Sequence, residues 1–249
     1  KIFMNGIDVS IIVTTRNEGA HIGRCLESIT RQKFPTEKTE IIVVDNHSTD
    51  RTREIAENYD IRFFLYGPER SAQRNFGLNK ARGEFFLYLD ADMALSENVI
   101  SECVEKCEKS GLDALYIPER IVGNKFWSRV RNFERGFYNA SCIDAVRFIR
   151  VKTARDIGGF DETLTGPEDW DFDRRIRQSG KTGIINAAIY HDESNFVLSK
   201  YLSKKQYYSS DFSRYIERWG KRDPIIRKQL GWTYRFFGVF LEKGKWKKF

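Results

Sequence analysis

Two carboxylate pairs are spaced to do chemistry. Asp90-Ala91-Asp92 closes the apolar run 84–89, and two carboxylates around one small residue can jointly meet a hard divalent cation, with a diphosphate as third party. An isolated D-x-D triplet is more often a solvated turn. Glu168-Asp169 is the second pair, and one member could take a proton from an attacking hydroxyl. The alternative there is a solvated helix start, with Asp171 and Asp173 extending the acid run and Arg174 and Arg175 neutralising it. Asp45 ends another apolar run, where an acid can accept hydrogen bonds from a ribose or base or simply cap a turn. His191 ends the run 182–190 and could complete a metal site, though a lone strand-end histidine is more often structural.

The elements that must position these groups follow from hydrophobic pattern. Residues 9–14, 40–45, 61–65 and 84–89 are β-branched or aromatic runs followed by polar loops, which reads as strands. Helices are expected over 20–34, from a Ser48 or Thr49 cap through Tyr59, and over 70–81. The alternation over the first 118 residues is that of βαβ units around a mostly parallel sheet. In such sheets ligands bind beyond the carboxyl ends of the strands. The polar clusters Thr14-Thr15-Arg16-Asn17-Glu18, Asp45-Asn46-His47-Ser48-Thr49-Asp50 and Asp90-Ala91-Asp92 all fall at such ends. Further on, a strand is expected at 112–117, an aromatic and basic helix near 125–138, a strand at 145–151, and a helix opening at Glu168 and closing near Gly180, with acids favouring its dipole.

Composition sets the outer limits. The chain has 249 residues, 41% apolar and 14% aromatic, enough for a buried core in one large domain or one domain with an appendage. Disorder is excluded. The net charge is +7, but residues 201–249 hold 13 basic and 4 acidic residues, a net of +9, which leaves −2 for the first 200. Any anionic partner is therefore expected at the tail. Four cysteines are too few for a disulfide framework and no signal-peptide pattern opens the sequence, so a reducing cytosolic compartment is the expectation. The sequons at Asn46 and Asn139 are read as silent. No uncharged apolar stretch reaches 18 residues, the length a membrane span needs.

Several chemistries fail on spacing. No G-x-G-x-x-G follows the first strand, which argues against a dinucleotide oxidoreductase. Gly180-Lys181-Thr182 imitates the end of a P-loop, but Arg175 stands where its first glycine belongs and a helix precedes it. Cys103 and Cys107 lie four apart without nearby His or Cys partners, as core residues would.

Taken in order, five pieces resemble the family-2 glycosyltransferases: residues 10–18, 42–50, Ala72-Gln73-Arg74-Asn75-Phe76-Gly77, Asp90-Ala91-Asp92, and Glu168-Asp169. The resemblance covers roughly residues 8–192. It implies an α/β GT-A fold, a mostly parallel central sheet flanked by helices, with residues 1–118 binding the nucleotide sugar and 119–200 forming an acceptor and catalytic half. It also implies inverting transfer from a UDP or GDP sugar with Mn²⁺ or Mg²⁺. Carried over by position, Thr14, Arg16, Glu18 and Asp45 would hold the nucleoside, with Thr15, Asn17, Ser48 and Ala91 in the same donor set. Arg74 would lie near the diphosphate, and Asp90 and Asp92 would hold nucleotide and metal. Asp169 would be the general base with Glu168 beside it, and His191 a metal ligand found in only some members.

A base favours a hydroxyl acceptor, on a glycan or lipid-linked saccharide, over a polyprenyl or dolichyl phosphate, which is already a nucleophile. Residues 201–249 also carry 13 aromatic residues, and Trp232, Phe236, Val239 and Phe240 recur at helical spacing. That reads as a basic helical extension able to lie on an anionic membrane at its cytosolic face, or to pack back on the domain. A nucleic-acid-binding module would explain the tail but not the acids at three strand ends, so no nucleic-acid partner is expected. A nucleotidyltransferase would open with a glycine-rich loop, which Thr14-Thr15-Arg16-Asn17 is not.

Overall fold

The computed structural model describes residues 6–123, 125–192 and 209–242. The elements in chain order are β1 Val9–Thr15, α1 Ile22–Thr30, β2 Thr39–Asp45, α2 Thr52–Ala56, β3 Arg62–Leu65, α3 Arg70–Lys80, β4 Phe85–Asp90, β5 Met93–Leu95, α4 Val99–Ser110 and β6 Ala114–Tyr116. There follow β7 Glu119–Val122, α5 Phe126–Tyr138, β8 Phe148–Arg150, α6 Val151–Asp156, α7 Glu168–Ser179, β9 Thr182–Ile184 and β10 Ile189–Asp192. Past residue 208 come α8 Ser209–Trp219, α9 Pro224–Leu230, a wide helical turn Tyr234–Gly238 and the single turn α10 Val239–Leu241.

Seven strands form one sheet in the order β3-β2-β1-β4-β8-β6-β9, with β8 alone antiparallel to its neighbours. Strand β1 is buried along its whole length, as a central strand covered on both faces must be. Its odd members Val9, Ile11 and Val13 pack with Ile22, Leu26 and Ile29 of α1 and Cys103 and Cys107 of α4. Ile12 faces the opposite layer, with Leu78 of α3, Ala154 of α6, and Phe172 and Ile176 of α7. A smaller sheet, β5-β10-β7, stands beside the large one.

Gly77 lets α3 lie close on the sheet, because a Cβ there would meet Ile12 Cγ2 at 2.5 Å. Gly77→Ala is therefore expected to lower stability by about 1–3 kcal/mol through overpacking. A melting temperature equal to the parent's would show that α3 can rise off β1 without loss.

Three sequence expectations change in detail. Helix α2 is shorter than the one expected up to Tyr59, and its Thr52 amide donates to Asp50 Oδ1 at 3.0 Å; Ser48 is instead bound to Asp45. Only Phe148–Arg150 of the stretch 145–151 is a strand, because the amides of Ala145 and Val146 donate to Asp144 and Asp173 rather than to a neighbouring strand. The run 182–190 divides between two sheets, where the amides of Asn186 and Ala187 turn aside to the Glu102 carboxylate at 3.0 Å each.

The C-terminal elements pack on the rest of the chain. Tyr215 of α8 and Ile226 of α9 are buried with Leu164, and Trp170 lies against them. Asp171 of α7 has no exposed surface; it accepts from Arg175 Nε at 2.8 Å, Arg218 Nη1 at 3.0 Å and Trp219 Nε1 at 2.9 Å. Arg174 makes a two-pronged bond to Asp223 at 3.0 and 2.6 Å and lies 3.8 Å above the Trp219 ring. Val239 is buried with Phe137, Tyr138 and Ile143. The rest of the expected extension, residues 201–208 and 243–249, lies outside the described residues.

Candidate active site

Register brings the strand-end groups together. On either side of β1, Thr14 pairs with Asp90 of β4 and Thr15 with Asp45 of β2. Strand order reverses at β1, which is where open α/β sheets bind ligands. A cleft with about 600 Å³ of open space lies there, lined by Thr14, Thr15, Arg16, Glu18, Arg70, Gln73, Asp90, Ala91, Asp92 and His191. Gln73 holds the cleft's back wall, its amide donating to Thr15 O at 3.0 Å and Val44 O at 2.7 Å.

Behind the cleft the two carboxylate pairs, 78 positions apart in the chain at their first members, meet on one arginine. Arg74 is wholly buried. Its Nη2 donates to Asp90 Oδ1 at 3.0 Å and its Nη1 to Asp169 Oδ1 at 2.6 Å, with Glu168 Oε1 at 3.8 Å. The guanidinium lies 4.6 Å from the Tyr88 ring centroid and 5.2 Å from that of Phe160, so its two terminal nitrogens are bonded and aromatic rings pack against it, while its Nε is buried without a hydrogen-bond partner. Arg70, one turn earlier, reaches Glu168 Oε1 at 3.0 Å. Thr14 also donates to Asp90 Oδ1, at 3.1 Å. Burial by itself would raise the Asp90 carboxyl, but Arg74 and Arg70 outweigh it and hold it well below the usual carboxylate range. The buried Glu168 carboxyl is raised, by burial first and then by Asp169, despite Arg70.

The small sheet assembles the third group. Strand β5 begins directly after Asp92, and β10 pairs His191 with Met93 on one side and Ile121 on the other. His191 Nε2 thus lies 3.1 Å from Asp92 Oδ2, and its Nδ1 lies 2.9 Å from Glu119 Oε1. Arg135 of α5 binds the other oxygen of Glu119. Burial opposes charge on the imidazole, but the two carboxylates prevail and push His191 up to about 10. Glu119 is held well below the ordinary range, Arg135 and His191 outweighing its burial.

Of the three metal candidates, Asp92 and His191 adjoin, whereas Asp90 is turned to Thr14 and the arginines. Among the described residues no three His, Cys, Asp or Glu side chains group closely enough to hold an ion by themselves. Asp92 Oδ1 nevertheless is buried without a hydrogen-bond partner. An orphaned carboxylate oxygen beside an imidazole suits Mg²⁺ or Mn²⁺, which take one or two protein carboxylates and complete their shell with substrate phosphates. An ion held by Asp92 and His191 would take the place of the imidazole proton on Nε2.

Asp45 and Ser48 stand aside from that lining. Asp45 is buried and its oxygens accept from the Ser48 amide, at 2.8 Å, and from the Ser48 hydroxyl. Ser48 Oγ in turn accepts from the Asn17 amide at 2.7 Å, and Asn17 Oδ1 accepts from the Thr49 amide at 2.8 Å. These groups lock the β1 and β2 loops together, with Asn17 and His47 in left-handed backbone. Sequence reasoning missed Arg70, Tyr88, Glu119 and Arg135. Arg70 had a signal, four residues before Arg74 on one helical face; Glu119 had none.

The α/β sheet with an acid-lined cleft at its switch point has the GT-A type fold of the solved structures it superposes on. Residues 10–160 match the family model described as Glycosyl transferase family 2, and the chain belongs to that family. It is 26% identical over 189 residues to glycosyltransferase AglE of Haloferax volcanii, covering 69% of this chain and 62% of that protein. It is 22% identical over 250 residues to beta-monoglucosyldiacylglycerol synthase of Nostoc sp., covering 90% of this chain and 52% of that one. The chain thus spans little more than half the length of these two relatives. Among solved structures, Staphylococcus aureus TarS 1–349 in complex with UDP superposes with a TM-score of 0.65 at 20% identity, over 85% of this chain and 72% of that one. The mannosyltransferase PcManGT of Pyrobaculum calidifontis, in complex with GDP-Man and Mn²⁺, gives 0.64 at 22% identity, over 94% and 70%.

Proposed function

We propose that this chain transfers a sugar, with inversion, from a UDP or GDP sugar to a hydroxyl of a glycan or lipid-linked saccharide at the cytosolic face of a membrane. The observation that carries the reading is the meeting of Asp90 and Asp169 on Arg74 behind a switch-point cleft that Asp92 and His191 also line. Thr14, Thr15, Arg16 and Glu18 would hold the nucleoside, with Asn17, Asp45 and Ser48 shaping the loops beneath it. Asp92 and His191 would hold a divalent cation, which when bound supplies Lewis-acid stabilisation of a departing diphosphate. Arg70 would add positive charge on the same wall. Asp169 would remove the acceptor proton, Arg74 fixing its Oδ1 and leaving its second oxygen to the hydroxyl. The family match, the UDP and GDP-Man neighbours and a lipid-named relative support this reading. Residues 1–200 would form the transferase domain and 201–249 the basic extension.

The test is thermal unfolding with UDP and GDP, with and without Mn²⁺, on the parent and on Asp92→Asn. A nucleotide at a hundredfold its Kd stabilises the native state by about 2.7 kcal/mol, a rise of about 5 °C or more for this chain length. One nucleotide is expected to give that rise in the parent with Mn²⁺ and little in Asp92→Asn. No rise with either nucleotide at millimolar concentration would sink the reading.

A further inference from the structure

The most exposed large apolar side chains among the described residues do not line the cleft. On α5, Phe126, Val130, Phe133 and Phe137 fall at i, i+4, i+7 and i+11, one stripe of a helix. The far end of the stripe is covered: Phe137 is buried against Val239, and the Phe240 ring lies 4.6 Å from it and 6.3 Å from that of Phe133. The near end is bare, Phe126 being 70% exposed, with Trp127 and Val130 also exposed. The element that covers the stripe continues it, since Trp232 (67%) and Phe237 (63%) are exposed and their rings lie 6.5 Å apart. Two segments about a hundred residues apart in the chain thus form one aromatic face, fused through Phe133, Phe137 and Phe240.

The exposed charges on the segments that carry this face are mostly basic. Lys125 and Arg129 on α5, and Lys221, Arg222, Arg227 and Lys228 before the turn, are exposed. The acids among them are engaged within the chain: Glu134 by Tyr138, Glu242 by Tyr234 and Lys228, and Asp223 by Arg174. The sequence then continues from Glu242 into Lys243-Gly244-Lys245-Trp246-Lys247-Lys248-Phe249. Exposed rings with a basic rim match an anionic bilayer, where aromatics enter the interface and cations meet lipid phosphates.

We propose that α5 and residues 232–241 form one docking face for an anionic membrane. The face is tied to the cleft through three contacts, Arg135 to Glu119, Glu119 to His191, and His191 to Asp92. Arg135 lies half a turn round α5 from the stripe, so docking leaves α5 between the bilayer and the carboxylate end of the cleft. The inference deepens the membrane part of the proposed function, and it makes α5 as necessary as the basic tail.

Vesicle flotation tests it on the full chain without donor or acceptor, so the result is independent of transfer activity. The probes are phosphatidylcholine vesicles and vesicles containing about 30% phosphatidylglycerol, at low and high salt. The parent is expected to float with the anionic vesicles, less so in high salt. The variant Phe126→Ser, Trp127→Ser, Val130→Ser, whose changes all lie on exposed positions, is expected to bind at least about tenfold more weakly while keeping the parent's melting temperature and nucleotide response. Binding of the variant equal to the parent's would assign attachment to the tail alone and overturn the proposal. So would a parent that ignores anionic vesicles, or a parent dimer in light scattering that the variant dissolves without any vesicle binding, which would make the face a self-interface.

Discussion

Asp169→Asn is expected to reduce sugar transfer to a hydroxyl acceptor by about 10²–10⁴-fold, the usual worth of a positioned general base, while leaving nucleotide-sugar affinity within a few-fold of the parent. The substitution is a clean one. Asn keeps an oxygen where Asp169 Oδ1 now accepts from Arg74 Nη1 at 2.6 Å, so the arginine retains its partner and the helix start keeps its shape. What is lost is the ability to take a proton. The base matters only if the nucleophile must be deprotonated, so the variant also reports on the acceptor. Should it retain transfer to a polyprenyl phosphate while losing transfer to saccharide hydroxyls, the acceptor class is the phosphate and Asp169 serves another purpose there. Full activity with a saccharide acceptor would remove Asp169 from the base role. Calorimetric titration with the donor, alongside the rate measurement, separates a lost base from a lost fold.

Arg74→Met is expected to be the most damaging single change to stability, lowering it by about 3–5 kcal/mol, the range for removing one partner of a buried ionic cluster. The reason lies in the count of charges left behind. Asp90, Glu168 and Asp169 converge on this one wholly buried guanidinium, and after its removal the partly exposed Arg70 still faces Glu168 and Asp90, with Arg147 acting on Asp90 and Asp169 without a direct bond. The methionine fills the volume and preserves contact with Tyr88 and Phe160, so the loss is electrostatic rather than a cavity. Arg74→Lys should fall between the two: it returns the charge but cannot reach Asp90 and Asp169 with a planar fork. Transfer activity should fall by about 100-fold or more in both, since the carboxylates lose their fixed positions. Urea unfolding is the measurement. A loss below about 1 kcal/mol for Arg74→Met would mean that the three carboxylates neutralise or hydrate without it.

The stability that Asp90 contributes has a defined pH range. Its carboxyl is depressed in the folded chain, so the folded state favours its ionised form. That contribution is complete above the unfolded carboxyl's ordinary value and is lost as pH falls through the depressed one. The stability gap between the parent and Arg74→Met, read by urea unfolding across the acid range, should therefore narrow as pH falls.

How much of this was legible before folding differs from element to element. The strands β1 to β4 and the helices α1, α3, α5 and α7 follow from hydrophobic runs and periodicity, which are local signals. The end of each strand was equally readable, because Asp45 and Asp90 stop an apolar run with a charge. A wrong reading arose where a residue's partner was remote: Ala145 and Val146 look like strand until Asp144 and Asp173 take their amides. The tail illustrates the same point. Its aromatic and basic composition was plain, yet nothing in it announced that Arg218 and Trp219 would bury Asp171 of α7 or that Val239 would seat itself on α5.

The amino-acid sequence alone determined the fold class, the strand ends at which a ligand would bind, and the two acid pairs, since each depends on residues within a few positions of one another. Only the tertiary structure decided which carboxylates share a partner. Arg74 joins residues 16 and 95 positions away, and His191 joins Asp92 and Glu119 across 99 and 72. Those meetings are set by strand order and register, in which a shift of one residue turns every side chain to the other face. Periodicity is blind to that choice: it puts Asp90 and Asp92 at one strand end without showing that Asp90 binds Arg74 while Asp92 meets His191.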